Sequence, residues 1–120
     1  ILNFNKKSEL LVPLNESLFE WVIENMCKNA IDAMQGKGDI TISVIERKDK
    51  VFIDLQDTGK GILKSQHKTI FKPGFTTKKR GWGLGLSLVK RIIETYHSGK
   101  IFVKTSEINK GTAFRIQLKK

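Results

Sequence analysis

Apolar residues recur every three or four positions between Leu18 and Ala33, which is the spacing of one face of an amphipathic helix. Asn15 comes just before this stretch, and asparagine is a favoured N-cap residue. Two glycines follow the end of the stretch, where glycine commonly terminates a helix. The pattern therefore predicts a helix that begins after Asn15 and runs to about Met34.

Elsewhere the apolar residues alternate with polar ones, which is typical of half-buried strands. Four such runs pair into two hairpins, residues 40–44 with 51–55 and residues 100–105 with 112–118. Two shorter segments, residues 1–5 and 9–14, are predicted as edge strands. A second helix, from Leu84 to about Tyr96, separates the hairpins. This order predicts an α+β fold, a two-layer α/β sandwich with helices on one face of a mixed, mostly antiparallel sheet.

The composition limits the class of protein. A chain of 120 residues suits a single domain with its own core. No apolar run approaches the roughly 20 residues that span a bilayer, so we expect a soluble, cytoplasmic domain without membrane contact. Cys27 is the sole cysteine, which excludes a disulfide framework and a cysteine-based zinc site. The formal charge of +10 is compatible with polyanionic partners, including a triphosphate.

One carboxylate is predicted to lie inside the fold. Asp57 continues, in steps of two, the apolar positions of its strand, and Thr112 shares the parity of the apolar residues in the last strand. No basic residue is obviously placed to pair with this carboxylate, and burial without a partner is costly. A carboxylate beside a hydroxyl, with Ile62 nearby, can receive the exocyclic amine of adenine. The alternative is a strand-end aspartate that caps the turn at Thr58 and Gly59.

An amide pair lies on the first predicted helix. Asn25 and Asn29 are one turn apart and share the sheet-facing side with apolar residues. Asparagine is a poor helix former, and its amide oxygen is a suitable ligand for Mg²⁺. The alternative is a pair of asparagines satisfied by neighbouring backbone groups.

Two glycine clusters, residues 57–62 and 81–86, lie about twenty positions apart. The second leads directly into the predicted second helix, where backbone N–H groups and the helix dipole favour phosphate oxygens. Three basic residues, Lys78 to Arg80, precede it, and their charge would neutralise a triphosphate. Taken singly, each lysine of this group is more typical of a solvated, flexible loop. Together with the amide pair, the clusters indicate one nucleotide site.

These motifs resemble the catalytic and ATP-binding domain of bacterial two-component sensor histidine kinases. That domain belongs to the GHKL superfamily, with DNA gyrase B, the ninety-kilodalton heat-shock chaperone and the mismatch-repair ATPases. The matching segments are residues 25–34 (asparagine box), 57–62 (first glycine box), 70–78 (phenylalanine box and start of the ATP lid), 81–86 (second glycine box) and 110–112 (last box).

The resemblance implies a Bergerat-type ATP-binding fold with ATP and Mg²⁺ as cofactors. Asn29 would hold the Mg²⁺, Asp57 would read adenine, and Lys78 would act as the catalytic residue at the terminal phosphate. The other nucleotide contacts would come from Asn25, Gly59, Gly61, Ile62, Thr77, Gly83, Leu84, Gly85, Leu86 and Thr112.

Two departures from the family pattern refine the expected reaction. Superfamily members that hydrolyse ATP usually carry a glutamate base at the position of Asn25, so phosphotransfer is favoured over hydrolysis. Neither His67 nor His97 has the setting of a phosphoacceptor, which in the family lies on a separate helical dimerisation domain. Both histidines are predicted to be structural.

We therefore expect residues 1–120 to form one catalytic domain, a fragment of a longer histidine kinase. It would donate the γ-phosphate of Mg-ATP to the phosphoacceptor domain of the same kinase, in cis or in trans. A response regulator would act downstream, and no nucleic acid partner is expected. The parent protein could still be anchored in the inner membrane. The alternatives are a GHKL-type ATPase or ATP-driven clamp, and a non-catalytic nucleotide-binding module.

Overall fold

A computed structural model of the protein describes residues 2–5, 15–73 and 85–120, and for residues 2–5 it describes the backbone alone. The elements, in chain order, are β1 (Leu2–Asn5), α1 (Glu16–Ala33), β2 (Ile40–Glu46), β3 (Lys50–Asp57), two 3₁₀ turns (Lys64–Gln66 and Thr69–Phe71), α2 (Gly85–Arg91), a π-helical turn (Ile92–Tyr96), β4 (Lys100–Glu107) and β5 (Gly111–Lys119). Both predicted hairpins are present. The predicted edge strand at residues 9–14 lies outside the described residues.

The sheet has five strands in the order β1-β2-β3-β5-β4. β1 pairs with β2 in parallel, and all the other neighbours are antiparallel. The predicted mixed, mostly antiparallel sheet is therefore confirmed. Because β5 lies between β3 and β4, the end of β3 is adjacent to the start of β5, with Gln56 opposite Ala113.

The core lies between the helices and one face of this sheet. α1 contributes Val22, Met26 and Ala30, each at most 2% exposed, at the helical spacing seen in the sequence. The remaining buried apolar residues of this core are Ile40, Ile42, Leu55, Ile70, Phe71, Val89, Ile92, Ile93, Ile101, Phe114, Ile116 and Leu118. Burying one such large side chain contributes about 1.5–3 kcal/mol, so this layer fixes the helices on the sheet. The predicted two-layer arrangement is confirmed.

α1 begins at the predicted cap. The side-chain Oδ1 of Asn15 accepts the N–H of Leu18 at 3.1 Å, and so satisfies one of the free N–H groups of the first turn. The helix ends at Ala33, one residue before the predicted position. None of the helices within the described ranges combines the length and apolar character needed to cross a bilayer.

The second helix differs from its predicted form in its last part. It is α-helical from Gly85 to Arg91 and then widens into a π-helical turn that runs to Tyr96. The ring of His97 stabilises this turn, because Nδ1 donates to the carbonyl oxygen of Ile92 at 3.0 Å while Nε2 accepts the N–H of Asn15 at 3.1 Å. The same ring therefore joins the end of the second helix to the start of the first.

Candidate nucleotide-binding site

Asp57 is the last residue of β3, and its side chain is only 3% exposed. It lies on the same covered face as Val51 and Leu55, so the inward direction predicted from strand parity is confirmed. Its Oδ1 atom accepts the backbone N–H of Gly59 at 2.8 Å and that of Thr112 at 3.3 Å. The carboxylate therefore lies where β3, β5 and the loop after β3 meet.

The electrostatics of this carboxylate are unusual for a buried acid. Among the described residues, no basic side chain forms an ion pair with it, and its partners are backbone N–H groups. Burial raises the pKa of the Asp57 carboxyl, and the two N–H groups partly oppose this rise. An ionised carboxylate held in this way is a strong acceptor for a neutral donor such as an amine.

Thr112 lies beside Asp57 and is 4% exposed, as its parity predicted. Its Oγ1 atom is 2.8 Å from the Oγ atom of Ser106 on β4. Ser106 in turn accepts the N–H of Ile62 at 2.7 Å. A carboxylate and two hydroxyls are thus grouped together, with Ile62 beside them.

Ser106 is a site residue that the sequence analysis missed. A polar residue near the end of an outer strand is ordinary, and its contact with Ile62 spans 44 positions of the chain. A signal was nevertheless present, because the turn of the second hairpin fixes the register that places Ser106 opposite Thr112.

Two glycines allow the surrounding backbone to approach closely. Gly61 has φ +79°, and a Cβ there would lie 2.2 Å from the carbonyl oxygen of Glu107. Gly111 has φ +133°, and a Cβ there would lie 2.0 Å from the carbonyl oxygen of Asp57. A side chain at either position would push the loop after β3 away from the β4–β5 turn. These two glycines therefore allow the loop after β3 to pack closely against the β4–β5 turn.

The amide pair lies on α1, and both side chains are half-buried. Asn25 donates from Nδ2 to the carbonyl oxygen of Trp21 at 2.9 Å, so backbone satisfies its amide nitrogen. Its Oδ1 atom faces the start of α2, where a Cβ on Gly85 would lie 3.8 Å away. Asn29 lies one turn further along α1. The amide oxygen of Asn25 thus lies beside the start of α2, where the second glycine box ends.

The two parts of the candidate site are connected through the loop after β3. The N–H of Lys60 donates to the carbonyl oxygen of Ala33 at 3.1 Å, which ties this loop to the last turn of α1. The ring of His67 contacts the carbonyl oxygen of Ile62 at 3.2 Å.

Four of the predicted site residues, Thr77, Lys78, Gly83 and Leu84, lie outside the described residues.

Among the described residues, no group of three or more His, Cys, Asp or Glu side chains is placed to hold a metal ion. Any metal at this site would depend on amide oxygens and on oxygen atoms of a ligand. Mg²⁺ tolerates such a site well, because it often keeps several waters and binds phosphate oxygens together with one or two protein groups.

Residues 15–120 match the family described as histidine kinase-, DNA gyrase B-, and HSP90-like ATPases. The chain belongs to this ATPase family. It is 47% identical over 98 residues to the sensor histidine kinase ZraS of Salmonella typhi, a match that covers 81% of this chain and 21% of that protein. This chain therefore spans about a fifth of the length of that relative.

Solved structures place this ATPase-family chain among the histidine kinases. The catalytic domain of histidine kinase ThkA superposes with a TM-score of 0.85 at 33% identity, over 99% of this chain and 80% of that one. A structure of ThkA in complex with the response regulator protein TrrA gives a TM-score of 0.83 at 31% identity, over 99% of this chain and 34% of that one. The predicted resemblance to a histidine kinase catalytic domain is confirmed.

Proposed function

We propose that this domain binds Mg-ATP and donates its γ-phosphate to a histidine on a separate dimerisation domain, in two-component signal transduction. The observation that carries the proposal is the Asp57 carboxylate, which is 3% exposed and has backbone N–H groups as its described partners. A buried acid without a charged partner is costly for the fold, and a ligand amine would offset that cost.

Base recognition would come from the end of the sheet. Asp57 would accept a hydrogen bond from the exocyclic amine of adenine, and Thr112 would contact the neighbouring ring edge. Ile62 would pack against the base, in a loop kept close to the β4–β5 turn by Gly61. Guanine carries a carbonyl oxygen in place of the amine, and this oxygen would face the carboxylate as a second acceptor. The site would therefore select adenine.

Phosphate positioning would come from the helices. The residues of the second glycine box, Gly83, Leu84, Gly85 and Leu86, would present backbone N–H groups to the phosphate oxygens. Thr77 and Lys78 would approach from the lid, with Lys78 neutralising the charge that develops on the transferred phosphate. Asn29 would hold the Mg²⁺ through its amide oxygen, assisted by Asn25 on the same helix. When bound, Mg²⁺ would supply positive charge that offsets the negative charge of the phosphate groups.

The partners follow from the relatives. ThkA has been solved with a response regulator, which supports a response regulator downstream of this kinase. Because the chain spans 21% of ZraS, we propose that residues 1–120 form one catalytic domain of a longer kinase, whose phosphoacceptor domain acts in cis or in trans. The domain would work in the cytoplasm.

The main test is a calorimetric titration of residues 1–120 with Mg-ATP and Mg-GTP. We expect saturable binding of ATP and at least tenfold weaker binding of GTP, since one charge-assisted hydrogen bond is worth about 1.5–3 kcal/mol. Equal affinities for the two nucleotides would contradict adenine selection by Asp57.

A second experiment separates the kinase from an ATPase or clamp. Asn25 cannot take a proton from water, so the isolated domain should bind Mg-ATP without labelling itself or hydrolysing the nucleotide appreciably. Adding the helical histidine domain of the parent protein should start phosphotransfer. Robust multiple-turnover hydrolysis by residues 1–120 alone would favour the clamp and overturn the kinase assignment.

A further inference from the structure

Met26 and Met34 are the two methionines of the chain, and their surroundings differ. Met26 lies on α1 inside the core and is 2% exposed. Met34, the residue that follows α1, is half-buried and packs against that core. Its sulfur lies beside two exposed residues, Thr58 and Gly38. A reagent in solution can therefore reach the sulfur of Met34, whereas the sulfur of Met26 is enclosed.

The sulfur of Met34 takes part in a short chain of hydrogen bonds. The hydroxyl of Thr58 donates to Sδ at a distance of 3.5 Å, and the same hydroxyl oxygen accepts the N–H of Asp39 at 3.1 Å. The backbone of Gly38 approaches both side chains closely, because a Cβ at this glycine would lie 2.5 Å from Oγ1 of Thr58 and 2.6 Å from Sδ. An atom added to the sulfur on this side would therefore be too close to its neighbours.

The end of α1 supports the loop after β3. Thr58 contacts Met34, and the next residue, Gly59, lies against Ala33, where a Cβ on the glycine would come within 2.8 Å of the carbonyl oxygen. The N–H of Gly59 in turn donates to the Asp57 carboxylate at 2.8 Å. Movement of Thr58 away from Met34 would therefore disturb the hydrogen bond that holds this carboxylate.

We propose that Met34 is a reversible oxidation site, at which a peroxide converts the thioether into a sulfoxide and loosens the loop after β3. One oxygen atom passes from the peroxide to the sulfur, which loses two electrons, and the peroxide is reduced to water or an alcohol. No bond to carbon breaks. The sulfoxide is polar, and its oxygen is a stronger acceptor than the thioether sulfur. Because this oxygen projects beyond the sulfur, Thr58 moves to bond it or separates from Met34, and either change shifts the turn at Gly59.

The first measurement locates the oxidation. After brief treatment of residues 1–120 with hydrogen peroxide, peptide mass spectrometry should show oxygen added to Met34 at least roughly tenfold faster than to Met26, because oxidation of the buried sulfur requires the core to open. Hydrogen exchange at the amides of Gly59 and Lys60 should then be several-fold faster than in the untreated domain. Comparable oxidation rates at the two methionines, or unchanged exchange at these amides, overturn the inference.

The second measurement is nucleotide affinity, and it rests on the proposed function, since it assumes that Asp57 binds adenine. Calorimetry with Mg-ATP should show roughly 3- to 10-fold weaker binding after oxidation of Met34, the range of one neutral hydrogen bond. Treatment with methionine sulfoxide reductase should restore the affinity. Unchanged affinity after complete oxidation of Met34 contradicts the proposed effect on the site.

Met34→Leu is the matched control, because it conserves the volume of the side chain and has no sulfur to oxidise. The same peroxide treatment should change its affinity less than about twofold. Cys27 remains in this variant, so any effect of oxidising the thiol appears there as well. An equal loss of affinity in the two proteins overturns the inference. If Met34→Leu does not fold, recovery of affinity with the reductase decides the matter, and absence of recovery counts against Met34.

The two measurements also separate this inference from the proposed function. Failure of the untreated domain to bind Mg-ATP would overturn the proposed function. The mass-spectrometric and hydrogen-exchange results would still decide whether Met34 is an oxidation site that loosens the loop after β3.

Discussion

Asp54 and Asp57 lie three residues apart on β3 and are both nearly buried, at 9% and 3% exposure, yet their surroundings are opposite. Asp54 faces away from the helices and receives two hydrogen bonds from Arg115, Nε to Oδ1 at 2.8 Å and Nη2 to Oδ2 at 2.9 Å. Asp57 faces the helices and accepts from backbone N–H groups. One strand therefore carries a charge-paired acid on one face and, on the other, an acid that has no charged partner among the described residues.

The two surroundings shift the acidity in opposite directions. Burial opposes ionisation of Asp54, but hydrogen bonds and charges from Arg115 and Lys104 outweigh it and lower the pKa of that carboxyl. Burial dominates at Asp57 and raises its pKa. The difference shows how to tell the two roles apart. An acid whose charge is already paired stabilises the fold, whereas an acid that is buried without a cation is a candidate for binding a ligand, which is the role that we propose for Asp57.

The largest expected effect is on nucleotide affinity. Asp57→Asn keeps the shape of the side chain and an oxygen for the two backbone N–H groups, but removes the charge that would strengthen the bond to adenine. We expect Mg-ATP binding to weaken by about 2–4 kcal/mol, or roughly 30- to 700-fold, in a calorimetric titration. Asp54→Asn is the matched control on the same strand and should change the affinity less than about twofold. Equal losses in the two variants would contradict the assignment.

The next effect is on stability and falls on the other acid. Asp54→Asn breaks a two-bond contact with Arg115, whose guanidinium also lies 4.5 Å from the ring centre of Phe52. We expect the free energy of unfolding in urea to fall by about 1–2 kcal/mol, because Arg115, whose side chain is 20% exposed, regains only part of its hydration.

Asp57→Asn provides the comparison for that measurement and should leave the free energy of unfolding unchanged or slightly higher. The prediction would be wrong if Asp54→Asn cost less than about 0.5 kcal/mol, the scatter of ordinary surface substitutions.

Much of the fold could be predicted, because its signals are local. The alternation of the two hairpins and the helical spacing of α1 appear within short windows, and strand parity alone placed Asp57 inside. The strand order could not be predicted, because the residue pattern of a strand does not specify which strands lie beside it. This applies to the pairing of β1 with β2 and to the position of β5 between β3 and β4.

The missed features depend on contacts between residues that are far apart in the chain. The π-helical turn at the end of α2 is capped by His97, whose ring accepts the N–H of Asn15, 82 positions earlier. The contact of Ser106 with Ile62 spans 44 positions, and that of Asp54 with Arg115 spans 61. Periodicity describes which face a residue occupies, but the partner on that face is set by the assembled sheet.

A smaller effect concerns pH, and its sign differs between the two acids. The folded pKa of Asp54 lies below the ordinary 3.8, so this group stabilises the fold above pH 3.8, and its contribution is lost as pH falls through the lowered folded value. The folded pKa of Asp57 lies above 3.8, so this group favours the fold when protonated and reduces stability as pH rises from 3.8 through the folded value.

Unfolding in urea at a series of pH values would show this opposition. The stability lost in Asp54→Asn should shrink as pH falls below 3.8. Any stability gained in Asp57→Asn should instead shrink as pH falls from above 3.8, in the range where the raised folded pKa lies. Parallel pH profiles for the two variants would show that their surroundings do not differ in the way described. Mg-ATP affinity should weaken over the same range in which Asp57 takes up its proton, and this dependence should be absent from Asp57→Asn.

The smallest effect is expected from Lys104, the second cation near Asp54. Its Nζ atom is 3.3 Å from Oδ2, but the side chain is 42% exposed, and water screens such a pair strongly. Lys104→Met keeps the aliphatic part of the side chain and should lower the free energy of unfolding by no more than about 0.5 kcal/mol in urea. Lys100→Met, on the exposed start of the same strand, is the control for loss of one positive charge. A loss above about 1 kcal/mol that is specific to Lys104 would mean that Arg115 alone does not satisfy Asp54, and that the paired acid depends on a wider network than the two bonds from that arginine.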